Sequence, residues 1–122
     1  MEIKSLPHHH AHTHAAENLS SQLERIRDFY AVAEVFKQLS DSTRVRIFWL
    51  LCHCEECVIN ISALVDMSSP AVSHHLRQLK EQGLIVSRRE GKEVYYKAAD
   101  TEESRLLHLT IEKIMEMTCP QE

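Results

Sequence analysis

Residues 67–83, "MSSPAVSHHLRQLKEQG", constrain the fold of this chain more than any other stretch. Val72, Leu76 and Leu79 recur at helical spacing, and both ends of the run are marked. Ser69 can cap the start, Pro70 sits in the first turn where its missing N–H costs nothing, and Gly83 ends the helix. Directly afterwards the periodicity changes. In "LIVSRREGKEVYYKA", Leu84 and Val86, then Val94 and Tyr96, alternate about the tight turn "EGK", which predicts a β-hairpin.

Upstream, Leu23, Ile26, Tyr30, Ala33 and Lys37 fall at helical spacing, with Phe29 and Phe36 widening the stripe, so residues 20–39 are predicted as one helix. "SDST" breaks it and offers Asp41 or Ser42 as the next N-cap. Val45, Ile47, Phe48, Leu50 and Leu51 make a strongly buried second helix. Ile61, Leu64 and Val65 make a short third one, with Asn60 as its expected cap. The chain closes on a helix whose wide apolar face carries Leu106, Leu107, Leu109, Thr110, Ile114 and Met117. The fold class is mainly α with a small β-hairpin. Short helix, tight turn, helix and hairpin, in that order, describe a winged helix-turn-helix. Its reading helix would place its N-terminal residues at base edges in the major groove. Ser68, Ser69, Ser73, His74 and Arg77 lie at that end or on one exposed face, and Arg88, Arg89 and Lys92 form the wing, facing phosphate or the minor groove. Each also has an ordinary structural explanation, as cap or solvated surface. The order of elements carries the argument.

Charge agrees with a local DNA-binding patch. The chain of 122 residues has a net charge of −4, yet Ser69 to Lys97 holds Arg77, Lys80, Arg88, Arg89, Lys92 and Lys97 against only Glu81, Glu90 and Glu93. Local charge at the phosphates matters more than the total. An apolar fraction of 43% and only two glycines suit one globular domain. No apolar run is long enough to span a membrane, and "MEIKSLPHHHAHTH" lacks the apolar core of a secretory signal. A cytoplasmic, reducing location is expected. No nucleophile stands beside a base at a recognisable spacing, and there is no phosphate-binding glycine loop, so an enzyme is not expected.

"LCHCEECVIN", residues 51–60, puts three cysteines and a histidine within six positions. A disulfide, a redox switch, half a zinc knuckle or a metal-sensor ligand set are the options, and in a reducing compartment metal or redox chemistry leads. Residues 1–18 are polar and His-rich and read as a mobile arm, with residues 19–118 as the domain for DNA binding and dimerisation. "HHHAHTHAAE" is interrupted by Ala11 and Thr13, unlike a purification tag. Zinc takes four tetrahedral ligands from thiolate and imidazole, and both kinds are plentiful here. A buried cysteine serving as a small hydrophobe is the ordinary explanation, and it suits Cys52 better than Cys54 or Cys57.

These motifs together resemble the ArsR/SmtB family of bacterial repressors. "LSDSTRVRIFWLL" is similar to the family's "LADPTRLRIL" opening. "ECVINISALVDMSSPAVSHHLRQLKEQGLIVSRREGKEVYY" resembles its central motif, and the likeness runs over about residues 29–100. The resemblance implies a homodimer, joined through the first and last helices, that releases operator DNA when an inducer, often a metal ion, binds. It places Cys57 at a ligand position. It also implies that the arm of the other subunit completes the site. "THAAE", Thr13 to Glu17, resembles the arm of zinc-sensing members, which points to His14 first, then His12 and His10. Cys54 is the expected fourth ligand, with Cys52 and His53 adjacent. Ile59 and Asn60 stand where relatives carry a second cysteine and an aspartate.

A second family site, on the last helix, maps onto Asp100, Glu102, Lys113 and Glu116. The lysine repels a metal ion, while His108 stands nearby on the same helix. The resemblance turns His74 toward DNA and His75 toward the core, and Cys119 stays unassigned. The expected function is a repressor responsive to zinc or a related ion. A thiol-based sensor of arsenite, cadmium or redox state using Cys52, Cys54 and Cys57 is the alternative, and a metal buffer or carrier is the reading from another class.

Overall fold

The computed structural model describes residues 4–119, which divide into two compact units at Phe36 and Lys37. In the first unit, α1 (Thr13–Asn18) and α2 (Ser20–Leu23) precede α3 (Ile26–Gln38). The helix expected over residues 20–39 is therefore interrupted at Glu24 and Arg25. It restarts with Asp28 in the first turn of α3, where a carboxylate favours the helix dipole, and Arg25 Nε donates to Asp28 Oδ2 at 2.6 Å. Ile26, Phe29, Tyr30, Val32 and Phe36 of α3 are all exposed. The last two residues of α3 count with the second unit.

The second unit holds the core. It comprises α4 (Ser42–His53), β1 (Glu56–Cys57), α5 (Val58–Val65), α6 (Ser69–Glu81), β2 (Ile85–Glu90), β3 (Glu93–Ala98) and α7 (Glu102–Thr118). Asp41 caps α4, its Oδ1 accepting from the Arg44 amide at 3.0 Å. Ile47, Phe48, Leu51, Ile61, Val65, Val72, Leu76, Leu79, Leu84 and Ile85 fill the interior. Arg44 is buried as well, and it is satisfied: Nε donates to Gln38 O at 2.9 Å, Nη2 to Lys37 O at 2.7 Å and Nη1 to Gln78 Oε1. One guanidinium thus closes the C-terminal carbonyls of α3 and reaches α6.

Several local expectations are corrected. Asn60 does not cap α5, which begins three residues before Ile61, at Val58. The cause is β1, a strand the periodicity missed because it is two residues long. It pairs antiparallel with β3, Glu56 opposite Tyr96 and Cys57 opposite Tyr95, so the chain is extended until Cys57 and turns helical at once. Asn60 Nδ2 instead donates to Glu56 Oε2 at 2.8 Å. Ser68, not Ser69, caps α6, its Oγ accepting from the Ala71 amide at 3.3 Å. Leu64 is exposed on the edge of an apolar groove of about 340 Å³ that also includes Trp49, Leu50, Ile111 and Met115.

The sheet has the order β1-β3-β2, with Ile85 opposite Ala98 and Glu90 opposite Glu93. Gly91 makes the hairpin turn at φ 62°, a conformation that costs glycine nothing. Asp66, at φ 56°, makes the corresponding turn between α5 and α6. On α7, Leu107 and Ile111 are buried, whereas Leu106, Leu109, Ile114 and Met117 are exposed.

Candidate nucleic-acid interface and metal-binding groups

The sides of α6 are sharply different. Val72, Leu76 and Leu79 are buried, while His74, Arg77 and Lys80 are exposed and Ser73 is half-buried. Ser68 and Ser69 sit at the exposed N-terminal end, Ser68 occupied as the cap and Ser69 Oγ 3.2 Å from Ser62 Oγ. His75 turns inward, as expected. Its Nδ1 lies 3.5 Å from Arg44 Nη1 and its Nε2 3.8 Å from Asp41 Oδ1. Burial lowers its pKa, Asp41 opposes that, and Arg44 and His74 add to it. The helix is held against the wing through Lys80 Nζ, which donates to Ser87 Oγ at 2.7 Å.

The wing cations differ in kind. Arg89 and Lys92 are exposed on β2 and the turn. Arg88 is engaged by the protein itself: Nη2 donates to Glu55 Oε1 at 2.6 Å, Nη1 to Glu90 Oε2 at 2.6 Å, and the guanidinium lies 4.9 Å from the Tyr95 ring centroid. The hydrogen bond from Arg88 holds the Glu55 carboxyl below its ordinary range. Glu55 lies between Cys54 and Cys57, so this pair joins the cysteine segment to the wing.

The four cysteines are free thiols. Cys54 is exposed just past the end of α4, where its Sγ lies 3.5 Å from Leu50 O. Burial, then Glu56, pushes its thiol pKa up. Cys57 is buried at the junction of β1 and α5. Cys52 lies within α4, and its pKa is pushed up to about 11 by burial and then by Glu112, which makes it reluctant to become thiolate. Cys119 is exposed at the end of α7. His12 and His14 lie just before and within α1, with His10, His12 and His14 all exposed.

Of the second expected site, Asp100 Oδ1 accepts from Arg105 Nη1 at 2.6 Å, and Glu116 Oε2 lies 3.4 Å from Lys113 Nζ. Glu102 is exposed in the first turn of α7. Instead, the structure assembles His53, His108 and Glu112, the one group of three or more His, Cys, Asp or Glu side chains with metal-ligating geometry among the described residues. The sequence offered half a signal, in the i, i+4 pair His108 and Glu112. Nothing in it showed that His53, on α4, lies against α7.

A short helix, a three-residue turn, an exposed reading helix and a basic hairpin in one sheet define a winged helix-turn-helix. Residues 41–87 match the family model described as bacterial regulatory protein, arsR family. Residues 41–87 thus carry a regulatory domain of the arsR type, and the relatives that match over this stretch are regulators of the same kind. It is 44% identical over 77 residues to a cadmium resistance transcriptional regulatory protein CadC homolog of Staphylococcus aureus, covering 62% of this chain and 64% of that protein. It is also 44% identical over 69 residues to a transcriptional repressor SmtB homolog of Synechocystis, covering 57% and 52% respectively. The matched stretch thus spans less than two thirds of either relative. Among solved structures, it is similar to the homodimeric winged helix-turn-helix DNA-binding domain of a possible ArsR-family transcriptional regulator from Mycobacterium bovis. That likeness has a TM-score of 0.69 and 28% identity, and covers 80% of this chain and 90% of that one.

Proposed function

We propose that this protein is a transcriptional repressor that binds operator DNA as a homodimer and releases it when zinc or a related thiophilic ion binds. The observation that carries this reading is β1. Its pairing puts the backbone of Cys57 in the same sheet as the wing, and Glu55 beside it grips Arg88 of β2. A change in the cysteine segment therefore has a mechanical route to the DNA-binding hairpin. The name of one relative, for cadmium resistance, agrees with a metal effector, and that of another, a transcriptional repressor, agrees with repression.

Base reading falls to Ser73, His74 and Arg77 on the exposed face of α6, with Ser68 and Ser69 ordering its start. Arg89 and Lys92 meet phosphates, and Arg88 sets the angle of the wing through Glu55. The donor set fits the ion. Cys57 and Cys54, with the partner subunit's His14 and His12, supply two thiolates and two imidazoles, the number and kind zinc takes. Cys52 and His10 are poorer members, Cys52 because its thiol resists ionisation. That same resistance counts against the three-thiol reading of arsenite or redox sensing. No helix among the described residues is long and apolar enough to cross a membrane, which is compatible with work in the cytoplasm.

The test is an operator-release titration with zinc, cadmium and arsenite. A coupling of about 1–3 kcal/mol would change operator affinity some 5–150-fold. Deleting residues 1–16 and, separately, Cys57→Ser should each leave metal-free DNA binding intact and abolish the zinc response. Lys113→Ala should leave the response in place. If the arm-deleted protein still releases DNA at the same zinc concentration, the histidines of the arm are bystanders.

A further inference from the structure

We propose that His53, His108 and Glu112 form a metal site of their own, within one subunit and separate from the cysteines, that takes a divalent cation such as zinc. The three candidate ligand atoms form a triangle. His53 Nε2 lies 3.1 Å from His108 Nε2, His108 Nε2 lies 3.2 Å from Glu112 Oε1, and His53 Nε2 lies 3.5 Å from the same oxygen. Zinc bound at about 2.0–2.1 Å to tetrahedral ligands separates those ligands by about 3.3 Å. The triangle therefore has the size of one face of that tetrahedron, and an ion placed just off its plane reaches all three atoms. Without a cation the arrangement is awkward. Both Nε2 atoms face each other and one carboxylate oxygen, so one imidazole must turn a lone pair toward its neighbour while the other donates.

The surroundings orient this set. Trp49 Nε1 donates to Glu112 Oε1 at 2.9 Å, occupying one lone pair of the oxygen and leaving the other for an ion. An outer hydrogen bond of this kind fixes a ligating carboxylate. The His53 ring packs on Trp49 with centroids 4.4 Å apart and meets His108 edge-on at 4.8 Å. His108 and Glu112 are one turn apart on α7, and His53 ends α4. Both elements have cores of their own, so the triangle does not depend on an ion to exist. All three side chains remain partly exposed, at 46%, 30% and 44%, so an ion can enter and a water molecule can take the fourth position.

The donor set also predicts which ions are taken. Two imidazoles and a carboxylate suit zinc, cobalt or nickel and give no thiolate to hold arsenite. A bound ion would pin α7, with its exposed Leu106, Leu109, Ile114 and Met117, to the end of α4, beside the cysteine segment. It would thereby fix the pose of the helix that the proposed dimer uses.

Cobalt titration of the full chain, in competition with a chelator that strips loose histidine binding, tests this site apart from the cysteines. The Cys54→Ser/Cys57→Ser protein should keep one cobalt per subunit with visible d–d bands and no thiolate charge-transfer band. Adding His108→Asn, or Glu112→Gln, should abolish that cobalt. Glu112→Gln keeps an oxygen for Trp49, so an unchanged metal-free melting temperature would separate ligand loss from misfolding. The proposal is overturned if the double-serine protein retains no cobalt, or if its cobalt survives both substitutions. Loss of operator release with cobalt retained in the double-serine protein would leave this site standing and assign the response to the cysteines.

Discussion

At the scale of single residues, His75 shows how one side chain takes its role from its neighbours. The dipeptide His74–His75 places two identical groups side by side. One is exposed on the reading face, and the other packs against Asp41, Arg44 and His74. Burial is the leading cause of the lowered pKa of His75, Asp41 alone raises it, and Arg44 and His74 lower it further. The folded pKa therefore lies below the unfolded value of 6.5, and between the two the unfolded chain binds more protons. Stability from this residue is full above about pH 6.5 and is lost as the pH falls toward the folded pKa. Urea midpoints measured at about pH 7.5 and 5.5 should fall further for the wild type than for His75→Gln, whose amide can still accept from Arg44. Equal falls would show that other groups carry the acid sensitivity. Arg44 teaches the same lesson. A basic residue in the second position of "TRVRIF" reads as a surface charge, yet it is buried because three oxygen acceptors converge on it.

At the scale of elements, the wing is where charge patterning alone misleads. Arg88, Arg89 and Lys92 form one basic cluster in the sequence, but strand alternation puts Arg88 and Arg89 on opposite faces. Arg88 then finds Glu55, Glu90 and Tyr95. Arg89→Ala should reduce the slope of log affinity against log salt by about one, the signature of a lost phosphate contact. Arg88→Ala should instead weaken the metal response, because it cuts the tie to Glu55, with a smaller change in slope. Electrophoretic mobility shifts across a salt series, with and without zinc, measure both. Equal slope changes for the two variants would place both side chains on the backbone of the DNA.

At the scale of the whole molecule, the exposed apolar residues are the largest unexplained feature. Ile26, Phe29, Tyr30, Val32 and Phe36 on α3, and Leu106, Leu109, Ile114 and Met117 on α7, are large apolar side chains left exposed on two helices, and contiguous exposed apolar surface marks an interaction site. Two copies that cover these helices would form the homodimer of the proposed repressor, with the reading helices in successive major grooves about 34–36 Å apart. Sedimentation at micromolar concentration should give a dimer. Leu109→Glu together with Phe29→Glu should shift it to monomer and sharply weaken operator binding, since a charge buried in such a face has no partner. A wild-type monomer with full operator affinity would sink the dimeric reading.

Local patterns determined much of this protein. Helical and alternating periodicities, the Pro70 and Gly83 boundaries and the Asp41 cap depend only on near neighbours, so they are legible without coordinates. They were enough to identify the winged helix and its inward residues Val72, Leu76 and Leu79. Tertiary structure alone decided what depends on contacts between distant segments. The two-residue strand β1 exists only because β3 lies beside it, and the burial of Arg44 needs carbonyls from one helix and a glutamine from another. The triangle of His53, His108 and Glu112 joins residues 55 positions apart because two helix faces happen to meet there. Chain distance carries no record of such a meeting, so no periodicity or motif could have shown it.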